Sequence, residues 1–193
     1  TGRQINILGA SILAGIDGYT SPNYPADELY QGAYIKDLRA LYIEGGGNVP
    51  SENPEETVGT WAAEQMMTQN KAALAQFGIT YDQFISERSD LKDAQYQEVY
   101  EWYNTAGLLH EKDGAIWYGR TEPERVLVRS EGNENVRTLT IDGVEAQRSV
   151  TYLFSDIVYH FSKLVTRSYD RLINILGADH HGYISALMRA LED

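Results

Sequence analysis

Between Tyr152 and Tyr183 the chain carries two clusters of polar side chains separated by one helix-like and one strand-like stretch, and this order constrains the fold more than any other feature. Tyr152, Asp156 and His160 recur every fourth residue, so a helix would set all three on one face. The run Leu172 to Leu176 is apolar except for Asn174 and reads as a buried strand, followed by the turn Gly177-Ala178-Asp179-His180-His181-Gly182. A helix from Asp156 to Arg167, that strand, and a helix from His181 to Leu191 would alternate as in a parallel α/β sheet, whose strand ends form ligand crevices. Asp179 and His180 fall at such an end. Gly177 and Gly182 would let the backbone turn tightly and a ligand come close, and the last helix would offer N–H groups to an anion.

Composition narrows the partners. The 193 residues hold 28 acids against 16 bases, a formal net charge of −12, which argues against a general polyanion binder. The one dense basic cluster, Lys163, Arg167 and Arg171, reads as the solvated face of a helix. No apolar stretch approaches the roughly 20 residues that span a bilayer, so no membrane is expected. Cysteine is absent, which rules out disulfides and thiolate metal sites. With no basic and apolar leader at Thr1, the expected setting is cytoplasmic.

Before residue 150 the pattern is of helices and hairpins. Helical spacing is expected over residues 4–16, over 30–43 with Tyr34, Ile35, Leu38, Leu41 and Tyr42 on one stripe, over 54–78 with Met66 and Met67 as core filler, and over 93–105. Residues 79–86 alternate like a short strand, and Val126 to Ser130 read as another. Asp113-Gly114 and Asp142-Gly143, each between apolar runs, are hairpin signals. The expected organisation is therefore one region of helices and hairpins over 1–150 and a helix–strand–helix unit over 151–193.

Several chemistries are open to these residues. Asp156 could lie at the surface, or it or Ser155 could cap a helix. It could also accept two parallel hydrogen bonds from a guanidinium, with the Tyr152 ring packed beside the same ligand. Alternatively, Asp156, His160, Asp179, His180 and His181 supply nitrogen and oxygen ligands of a type suited to zinc or manganese, as in a metal-dependent hydrolase.

The same residues carry a family resemblance. Tyr152-x-x-x-Asp156-Ile-Val-Tyr159-His160 and Asp170-Arg171-Leu172-Ile173-Asn174-Ile175-Leu176-Gly177-Ala178-Asp179-His180-His181-Gly182-Tyr183 resemble the arginyl-tRNA synthetases, class I aminoacyl-tRNA ligases. Other stretches resemble the family in its own order: Thr1-Gly2-Arg3-Gln4, Tyr30-Gln31-Gly32-Ala33-Tyr34-Ile35, Phe77-Gly78-Ile79-x-Tyr81-Asp82 with Ser86-Glu87, Glu111 to Trp117, and Val126 to Ser130.

The resemblance implies an α/β fold: the second half of a class I Rossmann-like nucleotide-binding fold, with a mainly helical connective insertion and small β-hairpins. It implies that Tyr152, Asp156 and His180 bind arginine and that Gly177, Asp179 and His181 lie by the nucleotide, with no catalytic residue in this chain. The implied substrates are L-arginine, ATP with Mg2+, and tRNA(Arg), with no bound prosthetic group. The family's His-x-Gly-His and Lys-Met-Ser-Lys-like motifs would lie before Thr1 and after Asp193, so the isolated chain is expected to be catalytically incompetent. Residues 132–149 stand out as an insertion.

Overall fold

The computed structural model describes residues 2–119, 123–132, 135–177 and 181–193, apart from the side chains of Arg88 and His181. The chain forms two compact units, residues 1–84 and 85–193. They part well before residue 150, where the sequence changes character, because the hairpins share a core with the helices that follow them.

The first unit is helical. Helices α1 (Arg3–Leu13), α2 (Ala33–Glu44) and α3 (Pro54–Gln76) enclose Leu8, Ile12, Leu13, Ile35, Leu38, Val58 and Ala62. The α1–α3 crossing is very close: a Cβ on Gly9 would fall 1.8 Å from the Glu55 carbonyl oxygen, and one on Gly59 would fall 2.0 Å from that of Ile5. Only glycine permits such an approach. Glu55 is buried in the first turn of α3, where the helix dipole favours a carboxylate. It accepts hydrogen bonds from the Tyr19 hydroxyl (3.1 Å), the Asn23 amide (2.9 Å) and the Ser21 hydroxyl, which fastens the loop after α1. Burial, then the Glu55 charge, pushes the Tyr19 hydroxyl up to about 12.

Two expectations fail in this unit. Tyr34 and Leu41 stay exposed, so the buried stripe of α2 is Ile35 and Leu38. Met66 packs against the core, but Met67 is 43 % exposed. In addition, the strand expected over residues 79–86 does not form. Their aromatic side chains find each other instead, Tyr81 edge-on to Phe84 at 5.4 Å.

The second unit wraps its core around α5 (Asp93–Thr105), which directs Tyr96, Val99, Tyr100 and Tyr103 inward. A one-turn helix α4 (Glu87–Asp90) precedes it. Strands β1 (Leu109–Lys112), β2 (Ala115–Tyr118) and β3 (Arg125–Val128) form one antiparallel sheet, and β4 (Val136–Ile141) and β5 (Val144–Ser149) form a second. Both Asp-Gly turns sit where expected, with Asp113 and Asp142 at positive φ of 54° and 51°. The outer edge of β4 is covered by α5: Gln97 pairs with both backbone groups of Thr140, and Asp93 accepts from the Thr138 N–H.

The excursion through residues 132–149 returns to where it left. Val128 bridges Val150, the Arg129 N–H reaches the Ser149 carbonyl at 2.9 Å, and the Thr151 N–H reaches that of Leu127 at 2.9 Å. Helix α6 (Tyr152–Phe161), a π-helical turn (Ser162–Thr166) and α7 (His181–Glu192) complete the unit.

No strand forms at Leu172 to Leu176. The segment is irregular, with Ile173 73 % and Ile175 94 % exposed, because no described strand offers it a backbone partner. Every ladder among the described residues is antiparallel. The fold among the described residues is therefore mixed, the helices and small antiparallel hairpins that were expected, with no parallel pair of strands among them.

Candidate functional site

Helix α6 starts four residues earlier than the sequence suggested. Its cap is Thr151, whose Oγ1 accepts from the Phe154 N–H at 3.3 Å and donates to the Val126 carbonyl at 2.9 Å. The second of these hydrogen bonds ties the start of α6 to β3. Neither Ser155 nor Asp156 is therefore a cap, and Asp156 lies in the second turn with its carboxylate available for other contacts.

Tyr152, Asp156 and His160 do not share one environment. Each step of four residues turns about 40° around a helix, so the row drifts from solvent into the core. Tyr152 is 53 % exposed, Asp156 is partly buried and His160 is 5 % exposed. The Nδ1–H of His160 donates to the Asp156 carbonyl at 2.7 Å, and its Nε2 accepts from the Asn174 amide at 2.7 Å. Both ring nitrogens are thereby used, which leaves neither for a metal.

Asp156 has a partner that sequence spacing did not reveal. The Tyr183 hydroxyl, from the first turn of α7, donates to Asp156 Oδ2. Burial raises the Tyr183 pKa well above the ordinary tyrosine value, and the bond to Asp156, the Asp156 charge and the Glu87 charge raise it further. The hydroxyl stays a donor at any physiological pH. A carboxylate offers about four lone-pair positions; Tyr183 takes one and fixes the plane of the rest. In the π-helical turn after α6, the Lys163 ammonium stands 3.8 Å from the ring centre of Tyr159 on α6. Burial lowers its pKa and the Asp156 charge opposes that shift.

Ser155, beside Asp156, is buried and accepts from the Tyr96 hydroxyl (2.8 Å) and from the Asn135 amide (2.9 Å), which also reaches Glu87 Oε1 at 3.2 Å. Glu87, Asn135 and Tyr183 thus join Asp156 around one end of α6. The sequence placed Tyr183 at a motif's end and Glu87 in another motif, with nothing to show that they converge.

Of the other expected site residues, Gly177 is exposed in the irregular segment before α7. Asp179 and His180 lie outside the described residues, as does the side chain of His181, though its backbone opens α7. Among the described residues no three His, Cys, Asp or Glu side chains are grouped to hold a metal ion. Nothing supports the metal-hydrolase reading. No described helix is long and apolar enough to cross a membrane.

No protein-family model matches the chain. An arginine–tRNA ligase from Nitratiruptor is 35 % identical over 199 residues, covering 99 % of this chain and 34 % of the relative. One from Nitratidesulfovibrio vulgaris is 30 % identical over 198 residues, covering 98 % and 33 %. Over about a third of their length, these arginine–tRNA ligases are similar to the whole of this chain. A crystal structure from Campylobacter jejuni, assigned as an arginyl-tRNA synthetase, superimposes with a TM-score of 0.76 at 33 % identity, covering all of this chain and 41 % of that one. The Tyr152–Asp156 and Tyr183 region therefore lies within a stretch that matches these ligases along essentially its whole length.

Proposed function

We propose that this chain forms the amino-acid-recognising part of an arginine–tRNA ligase, which activates L-arginine with ATP and transfers it to tRNA(Arg). The observation that carries this reading is the Asp156 carboxylate, partly buried on α6 and oriented by Tyr183, with the Tyr152 ring one turn away at the surface. A guanidinium needs a planar anion offering two parallel acceptors in a partly dry site. With one lone pair held by Tyr183, Asp156 keeps enough acceptor capacity for that bidentate contact. Tyr152 would pack its ring along the arginine side chain.

His180 would complete the arginine contacts, and Gly177, Asp179 and His181 would lie along the nucleotide, as the family resemblance implies. In the proposed class I architecture, residues 172–176 act as a strand of a Rossmann-like parallel sheet whose neighbouring strands come from outside this chain. The exposed apolar side chains of Ile173 and Ile175 support that reading, since an unpaired apolar strand lies ready to be buried. Residues 1–150 would then be connective and 151–193 part of the nucleotide-binding fold.

Mg2+ would arrive with the ATP phosphates, supplying charge neutralisation there; the described carboxylates form no cage for it. The net charge of −12 supports placing most tRNA contacts outside this chain, because phosphate contacts need Lys and Arg. The proposed setting is the cytoplasm.

Calorimetric titration of the full-length protein with arginine and with citrulline tests the pocket. Citrulline keeps the length of arginine but replaces the cation by a neutral urea. Arginine is expected to bind at least about 100-fold more tightly, the effect of leaving a partly buried carboxylate without its charge partner. Equal affinities would remove Asp156 from the role assigned to it.

A further inference from the structure

We propose that the β4–β5 hairpin is a positioning element of the arginine pocket, acting through Asn135 at its base, which bridges Glu87 at the start of α4 to Ser155 on α6. The inference rests on the arginine-binding reading of Asp156 and concerns what holds that residue in place.

The single amide nitrogen of Asn135 points at two acceptors, Ser155 Oγ at 2.9 Å and Glu87 Oε1 at 3.2 Å. With two hydrogens it serves both. Ser155 is 3 % exposed and directly precedes Asp156, so the bridge fixes the turn of α6 that carries the guanidinium acceptor. Asn135 is itself held. Its carbonyl accepts from the Val150 N–H at 3.1 Å, and it adopts a left-handed φ of 47°, which asparagine tolerates better than most residues.

The next inward residue of the hairpin grips the same region. Arg137, 8 % exposed, donates to the Glu87 carbonyl at 2.7 Å and to the Leu91 carbonyl at 3.2 Å, and its guanidinium lies 4.6 Å from the Tyr96 ring centre. Tyr96 in turn donates to Ser155. The hairpin thus reaches α6 by two routes, directly through Asn135 and through Arg137 and Tyr96. Because its two ends return to the Val128–Val150 bridge, it can brace the pocket without displacing β3 from the start of α6.

Asn135→Gly removes the bridging amide while suiting the positive φ, so the backbone has no reason to move. Assayed in the full-length protein by arginine-dependent ATP–pyrophosphate exchange in the presence of tRNA(Arg), below the melting temperature of each variant, it should raise KM for arginine about tenfold. KM for ATP should stay within about twofold. Ser155→Ala removes the shared acceptor from the other side and should give the same split. An unchanged arginine KM in either folded variant would overturn the proposal, as would arginine and ATP constants rising together, the mark of a merely structural role. Wild-type protein showing arginine-dependent exchange while the variants keep its constants would sink this inference alone. Wild-type protein without such exchange would sink the arginine-ligase reading and this inference with it.

Discussion

Asp156 owes its proposed role to two neighbours that act on it differently. Tyr183 donates a hydrogen bond from α7, and the chain through Ser155 and Asn135 fixes the helix turn behind it. Since burial and the two carboxylates hold Tyr183 protonated, its hydroxyl keeps Asp156 oriented throughout the neutral range. Tyr183→Phe should therefore weaken arginine binding about tenfold, the worth of one hydrogen bond to a charged group. Calorimetry on the full-length variant checks this, and undiminished affinity would mean that Asp156 needs no orienting donor. The residue spacing pointed to Asp156 as a candidate but misjudged its companions. Four-residue recurrence put His160 with it, whereas the 40° drift per step carries that ring into the core, where it is bonded at both nitrogens. Tyr183 lies 27 positions further on, and only tertiary folding makes the two meet.

Among the elements, those set by local chemistry were legible. The hairpins formed at their Asp-Gly dipeptides, and the helix foreseen over residues 93–105 has those limits, because caps and turns depend on a few adjacent residues. The segments that failed depend on a distant partner. An apolar run such as 172–176 becomes a strand only beside another strand, and none is supplied among the described residues. The closeness of α1 and α3 was also invisible, since Gly9 and Gly59 lie 50 positions apart and each is an unremarkable helical glycine by itself. Gly59→Ala should lower the stability of the first unit by about 1–3 kcal/mol, because the added methyl meets backbone that cannot yield. Denaturant unfolding measures it; a variant as stable as wild type would show that the two helices can separate at little cost.

For the molecule as a whole, the two units divide the family's motifs unequally. The described residues proposed to meet arginine, Tyr152 and Asp156, lie on α6 in the second unit, whose core is built from α5, the two sheets, α6 and α7. The chain spans about a third of the length of the curated relatives it matches, so the reaction is a property to be measured on the full-length protein. Spacing singled out Tyr152 and Asp156, the two residues on which the proposed site rests. Its geometry was not legible, because Glu87, Asn135 and Tyr183 come from three separate elements.

The most direct test is amino-acid-dependent ATP–pyrophosphate exchange by the full-length protein, run with each proteinogenic amino acid in the presence of tRNA(Arg), for wild type and for Asp156→Asn. The predicted result is exchange driven by arginine alone, with Asp156→Asn losing about 100-fold in kcat/KM for arginine, as expected when a charge pair in a partly buried site is broken. Exchange driven equally well by another amino acid, or an Asp156→Asn variant with wild-type arginine kinetics, would contradict the account.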